Sequence, residues 1–251
     1  MTDFGVSLLS GGLDSTIVTS YAAREVECLN AITFKYGQTH VKEIDCAKNI
    51  TSTLKINHKV IDISFVQHLS WYSSLTNPDD FKTPTKRPKN EISKKIPITY
   101  VPLRNTIFLS LAAAALESEV LNAIENENIN PSNISAKLFM APNSIDYSGY
   151  PDCRPEFFAS ALNTINLGSK LSTEYDVTIE IVTPIIHKTK AEIIQMGMEL
   201  NSPIELTWSC YDGGQDPCND CDSCILRARG FHELGINDPS FSDSKNNVRK
   251  N

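Results

Sequence analysis

Two sets of residues in this chain have types and spacings that can do chemistry. The first is Ser10-Gly11-Gly12-Leu13-Asp14-Ser15-Thr16. The apolar run before it has the pattern of a buried strand, and the apolar spacing after it has that of a helix. Glycines at such a turn let the backbone approach an anion closely. The free N–H groups of a helix start then face that anion, with the dipole favouring negative charge. Ser10, Ser15 and Thr16 can add hydroxyl donors. Asp14 would repel a phosphate directly, so its role in such a loop is to hold Mg²⁺ that bridges phosphates. The second set is Cys210, Cys218, Cys221 and Cys224, spaced C-x7-C-x2-C-x2-C. Thiolates that close converge on one tetrahedral ion, and four of them leave no open position for water. The spacing therefore points to one structural zinc ion per chain; an iron–sulfur cluster shares the spacing.

The elements that must position these groups alternate along the chain. Residues 4–9 read as a buried parallel strand, and Ile17, Val18, Tyr21 and Ala22 as the apolar face of a helix. Residues 28–34 read as a second strand, Val41, Ile44, Ala47 and Leu54 as a second helix, and 59–63 as a third strand. That rhythm predicts a doubly wound α/β domain with a mainly parallel sheet and right-handed crossovers. Further helices are expected over 103–116, 155–167 and 190–200, with strands over 136–141 and 178–182. The α/β domain should span 1–200, a zinc-binding C-terminal region 201–238, and a flexible tail 239–251. Residues 73–97, with four prolines and many charges, read as a long mobile loop, either a solvated connection or a lid. The Asn- and Glu-rich stretch 121–136 reads as a surface insertion.

The totals limit the partners. A net charge of −7 disfavours extensive contact with nucleic acid but leaves room for one nucleotide. No apolar run approaches the ~18 residues of a membrane span, and the N-terminus does not read as a signal peptide. A cytoplasmic chain is the expectation. Seven cysteines, four of them bunched, speak for a metal site and against a disulfide framework.

The Ser10-to-Thr16 string is neither a Walker P-loop nor a dinucleotide fingerprint. It resembles the SGGxDS pyrophosphate loop of the ATP-pyrophosphatases. Further strings resemble one family among them: Tyr36-Gly37-Gln38-Thr39-His40 with Glu43, Val101-Pro102-Leu103-Arg104-Asn105, the run from Asp146 through Tyr147, Asp152, Cys153 and Arg154 to Phe157, Lys188-Thr189-Lys190, and Thr207-Trp208-Ser209-Cys210-Tyr211. Together they resemble the 7-cyano-7-deazaguanine synthase family from near the first residue to about residue 237.

The resemblance implies an adenine-nucleotide α-hydrolase (PP-loop) fold and a homodimer. It also implies ATP-dependent conversion of 7-carboxy-7-deazaguanine and ammonia to the nitrile, a precursor of queuosine. Carried over to this chain, ATP would be held by Leu8, Leu9, Ser10, Gly11, Gly12, Leu13, Asp14, Ser15, Thr16, Ile17 and Val18. Asp14, Arg104 and Lys190 would be catalytic, with Lys188 a further phosphate-neutralising candidate. Arg104 would pair with phosphate or carboxylate oxygens. Asp146 or Asp152, beside Tyr147, would accept the N–H groups of the guanine-like edge, and Arg154 would hold the substrate carboxylate. Cys153 reads as a small buried thiol rather than a nucleophile. His40 and Glu43 lie one helical turn apart and could pair.

Three positions depart from the family pattern. Leu103 and Asn219 stand where glycines are usual, and Ala141-Pro142-Asn143 replaces a glycine-containing strand end. Leu103 and Pro142 would then reshape the pocket, which leaves open a paralogue that stops at the amide or transfers a deazaguanine to another molecule. A tRNA thiolase and a zinc-bearing interaction module without catalysis are the remaining alternatives.

Overall fold

Gly5-Val6-Ser7-Leu8 closes the first strand, β1 (Thr2–Leu8), and all four residues are buried. The computed structural model describes residues 1–38, 42–85, 95–145, 150–212 and 214–240. Among them, β1 pairs in parallel with β2 (Cys28–Lys35) on one side and with β4 (Ile134–Phe139) on the other. β3 (Asn57–Asp62) and β5 (Ile179–Val182) complete a five-stranded parallel sheet in the order β3-β2-β1-β4-β5. Strands buried on both faces carry continuous apolar runs, as the sequence of β1 does.

Two apolar layers flank the sheet, and two short helices, α3 (Val66–Leu69) and α6 (Lys170–Glu174), lie in its connections. On one face, Val6, Leu8 and Ile32 pack with Leu109, Ala112 and Leu116 of α4 (Arg104–Glu125) and Phe158 of α5 (Pro155–Gly168). On the other face, Leu13, Ile17 and Val18 of α1 (Leu13–Glu25) pack with Ile193 and Ile194 of α7 (Lys190–Glu199) and Phe231 of α8 (Asp222–Glu233). Leu9 and Ala31 meet Ala47 and Ile50 of α2 (Lys42–Leu54) on that same side. The doubly wound parallel architecture read from the sequence is the one observed.

The chain runs from β1 outward to β2 and β3, then returns to place β4 on the opposite flank of β1. Loops at the carboxyl ends of β1 and β4 therefore diverge and leave a crevice, which is where open α/β sheets bind ligands.

Three expectations about connecting segments change. α4 does not end near residue 116 but continues to Glu125, with Val120 and Ala123 buried. Only 126–133 separates it from β4, so the insertion expected over 121–136 is shorter; the Asn and Glu residues of 121–127 hide a helical spacing of apolar positions. α4 is long and apolar enough to cross a membrane by length and composition, but its buried face is the core contact with β1 and β4. Within 73–97, Ser73, Ser74 and Leu75 are buried, and Thr85 bridges to Cys221, so this end of the segment is anchored. Residues 86–94 lie outside the described residues. The expected tail likewise begins with a pinned residue, since Arg227 Nη2 donates to Ser240 Oγ at 2.8 Å.

Candidate active site

A cavity of about 270 Å³ opens at the crevice between the ends of β1 and β4. Its floor is the loop that follows β1. Gly11 has φ of +87°, and a Cβ there would stand 2.2 Å from the carbonyl oxygen of Glu43, so only glycine fits. Gly12 caps α1 with no side-chain cap bond. The first N–H groups of α1 thus have no partner within the helix and point toward the crevice. Ser10 Oγ and Ser15 Oγ lie 3.0 Å apart at its edge.

Of the residues expected to hold ATP, Leu8, Leu9, Ser10, Gly12, Leu13, Asp14 and Ser15 line the cavity. Four others, Gly11, Thr16, Ile17 and Val18, do not. Ile17 and Val18 are fully buried core residues of α1, and Thr16 donates its hydroxyl to Gly12 O at 2.8 Å. They shape the loop from behind rather than facing the crevice.

Asp14 and Lys190 meet across the loop. Lys190 is the first residue of α7, whose start is fixed by a capping box between Thr189 and Glu192. Its stem runs under α8 at Gly230, where a Cβ would stand 2.6 Å from Lys190 Cγ. The close approach of α8 thus depends on glycine at 230, and it aims the ammonium at Asp14.

Arg104 enters from the first turn of α4 and lines the opposite wall with Tyr36, Phe108, Asn105 and Tyr150. Burial works against its charge, but Tyr36, Tyr150, Asp152 and Cys153 more than offset that and hold the guanidinium firmly ionised. Glu43 lines the cavity too, and burial pushes its carboxyl up to about 7 despite the positive charge of Arg104. Burial likewise raises Cys153, to about 11, with the neighbouring Asp152 carboxylate adding to the effect.

The expected substrate residues separate. Asp152 is buried but does not line the cavity; its Oδ2 faces the Asn105 N–H at 3.4 Å, and its carbonyl accepts from Asn105 Nδ2 at 3.0 Å. It thus braces the start of α4. Arg154 is exposed at the start of α5 and does not line the cavity either. Asp146 and Tyr147 lie outside the described residues, as does His40. Lys188 does not line the cavity, whereas Cys153 does.

Of the departures from the family pattern, Leu103 is 62% exposed and does not line the cavity; Pro142 does. What Leu103 brings is backbone strain, because its φ is +54°. Asn219 sits at φ +60°, a conformation that Asn tolerates.

The four cysteines form one cluster. Their sulfur atoms all lie within 4.8 Å of one another. The N–H groups of Asp212 and Cys218 donate to Cys210 Sγ, each at 3.3 Å, and that of Cys221 donates to Cys218 Sγ at 3.3 Å. Hydrogen bonds among the thiols push Cys210 well below the usual thiol range and push Cys221 and Cys224 above it. Four converging sulfurs backed by N–H donors suit a tetrahedral metal ion.

The cluster is tied to the phosphate loop. Trp208 N donates to Gly11 O at 2.9 Å, and Trp208 Nε1 donates to Cys210 O at 3.0 Å. Arg227 of α8 donates to Thr207 Oγ1 at 2.7 Å and pairs with Asp238. Ser209, Tyr211, Ser223 and Arg227 all face the cavity. Sequence reasoning gave none of these four a role. An arginine among the apolar residues of an amphipathic helix was the available signal for Arg227.

A parallel sheet with this loop at its switch point and a four-thiol cluster beside it defines a PP-loop nucleotide-binding protein. The chain belongs to the QueC family: residues 5–235 match the family described as "Queuosine biosynthesis protein QueC". It is 42% identical over 234 residues to a 7-cyano-7-deazaguanine synthase of Thermoplasma volcanium, covering 93% of this chain and 88% of that one. It is 44% identical over 236 residues to the 7-cyano-7-deazaguanine synthase of Trichodesmium erythraeum, covering 93% and 98%. Among solved structures, a predicted subunit of tRNA methyltransferase from Methanocaldococcus jannaschii covers 96% of this chain and 93% of its own length, at 14% identity and a TM-score of 0.44, a likeness too slight to carry an inference.

Proposed function

We propose that this chain makes 7-cyano-7-deazaguanine from 7-carboxy-7-deazaguanine and ammonia at the expense of ATP, as a cytoplasmic, homodimeric enzyme of queuosine biosynthesis. The observation that carries the reading is the phosphate loop at the switch point, where helix N–H groups without partners inside the helix border a cavity that Asp14, Lys190 and Arg104 charge.

A carboxylate is a poor electrophile. Attack of its oxygen on the α-phosphorus of ATP releases pyrophosphate and leaves an acyl adenylate. Ammonia displaces AMP with loss of a proton and gives the amide. Attack of the amide oxygen on a second ATP releases a second pyrophosphate and, with loss of one N–H proton, leaves an imidoyl adenylate. Loss of AMP and the remaining N–H proton then leaves the nitrile. Both activations use the same loop, so positioning and charge stabilisation carry most of the rate.

The α1 N-terminus, Ser10 and Ser15 would hold the phosphates, and Lys190 would neutralise the departing pyrophosphate. Arg104 would stabilise charge at the reacting oxygen. Asp14 offers a hard carboxylate for the Mg²⁺ that accompanies ATP. Cys210, Cys218, Cys221 and Cys224 would hold zinc, which supplies structure to the C-terminal region and no open position for catalysis.

The test is product mass after incubation with ATP, ammonium and the carboxy-deazaguanine. The expected product is the nitrile with two pyrophosphates released. An amide that never loses water would support the paralogue reading instead. Light scattering of the purified protein tests the dimer.

A further inference from the structure

We propose that Glu43 is the residue that recognises the deazaguanine ring, its carboxylate accepting the two adjacent N–H donors of the guanine-type edge. The inference rests on the proposed function and assigns the ring-reading role to a residue on α2, away from the 146–154 run.

Glu43 is held firmly. It lies in the first turn of α2, and its carbonyl abuts Gly11 so closely that no Cβ is tolerated there. Its side chain lines the cavity on the same wall as Tyr36 and Arg104. Among the described residues, no hydrogen bond or ion pair engages its carboxylate.

Among the described residues, the other acids near the cavity are committed elsewhere; Asp146 lies outside them. Asp14 is gripped by Lys190, with Oδ2 2.7 Å from the ammonium, and Asp152 faces the Asn105 N–H from outside the cavity lining. Even beside the charge of Arg104, a partly buried carboxylate with no hydrogen-bond donor among the described residues is costly unless a ligand supplies donors. Its raised proton affinity reflects that cost.

The chemistry of the edge selects the ligand. A deazaguanine presents a ring N–H beside an exocyclic amine, two parallel donors that match the two oxygens of one carboxylate. Adenine presents one donor beside a ring lone pair, which a carboxylate repels. Glu43 therefore suits the acid substrate and not the base of ATP. Phe34 and Phe108, with ring centroids 4.8 Å apart, and Leu75 supply apolar surface for a flat ring in the same cavity.

Calorimetry tests this with two ring ligands, 7-carboxy-7-deazaguanine and its analogue lacking the exocyclic amine, and with Mg·ATP. The wild-type protein should prefer the amine-bearing ring by about 100-fold, the scale of a lost hydrogen bond to a buried charge. Glu43→Gln keeps the size but replaces one acceptor with a donor. It should erase that preference while leaving ATP affinity within about threefold. Glu43→Asp, which keeps the charge and retracts it, should retain part of the preference.

A Glu43→Gln protein that still prefers the amine-bearing ring overturns the assignment. So does one that loses ATP affinity with ring preference intact, or a wild-type protein indifferent to the amine. Failure of the proposed function itself shows separately, as a wild-type protein that yields no amide or nitrile from the acid.

Discussion

Lys190 Nζ lies 2.8 Å from one oxygen of Asp14 and 2.7 Å from the other, a two-pronged ion pair across the phosphate loop. The lysine side chain is 9% exposed and that of the aspartate 21%. The pair keeps two charges satisfied at the site where nucleotide phosphates would settle. Under the proposed function, phosphate oxygens would compete for the ammonium, and the Mg²⁺ that travels with them would compete for the carboxylate. Binding of Mg·ATP would thus exchange one ion pair for two.

Asp14→Ala should accordingly lower pyrophosphate release by at least about 100-fold, the scale on which removal of a single charge-stabilising group acts. The fold should persist, because Asp14 contributes to the loop surface and not to the apolar core. Pyrophosphate release and a thermal melt on the same preparation check this. Turnover within about tenfold of the wild type would remove Asp14 from the metal role.

Leu103 leads to a prediction about stability. It begins α4 at φ +54°, with its side chain out in solvent. A left-handed conformation costs a non-glycine residue roughly 1–2 kcal/mol, whereas glycine adopts it freely. Glycine also has more freedom to lose on folding, which offsets part of the gain. Leu103→Gly should therefore stabilise the protein by about 1 kcal/mol, with the product unchanged. Urea unfolding measures the first and product mass the second. A switch of product would show that this position shapes the pocket after all.

Much of the fold was legible because its signals are local. Buried parallel strands read as apolar runs, the strand–helix rhythm sets the topology class, and Ser10 to Thr16 mark the switch point in a single string. The convergence of the four thiols was equally plain, because close cysteine spacing leaves few other uses. The walls of the cavity were legible only in part. Arg227, Tyr211 and Phe108 come to it from three distant stretches, and nothing in one stretch announces the others. The run from Asp146 to Arg154 is legible only in part, since Asp146 and Tyr147 lie outside the described residues. Its charged residues look like a binding loop, yet Asp152 braces the start of α4 and Arg154 faces solvent. α4 itself was cut short because polar residues on its outer face masked Val120 and Ala123 beneath.

Cys153 faces the cavity, so a thioester route must be weighed on its chemistry. Burial and the Asp152 charge hold its thiol at about 11. The thiolate, not the thiol, is the nucleophile. At pH 7–8 the reactive form is scarce, and it grows about tenfold per pH unit until the pH reaches that value. Alkylation of Cys153 by iodoacetamide should thus be slow at neutral pH and steepen toward pH 10, followed by peptide mass spectrometry. Cys153→Ser should retain activity within about tenfold, since no covalent step needs the sulfur. A Cys153→Ser protein that binds both substrates but makes no amide would restore the covalent route.

The last prediction concerns the four thiols and what hangs on them. Trp208 N holds Gly11 O at 2.9 Å, and two residues later Cys210 enters the cluster. Arg227, three residues beyond Cys224, clamps Thr207 and the chain near Asp238. The segment has little apolar core of its own beyond Trp208 and the cysteines. Under the proposed function its order would come largely from the metal, as in other small cysteine knuckles where binding energy is folding energy. Purified protein should contain one zinc ion per chain by elemental analysis. Cys221→Ala should lose the metal and melt at least about 10 °C lower, or aggregate. Stripping the ion from the wild type with a chelator should weaken Mg·ATP binding as well, because the Trp208–Gly11 tie loosens with the knuckle. A metal-free protein that melts normally and binds ATP normally would show that the thiols pack as a core and leave the phosphate loop to support itself.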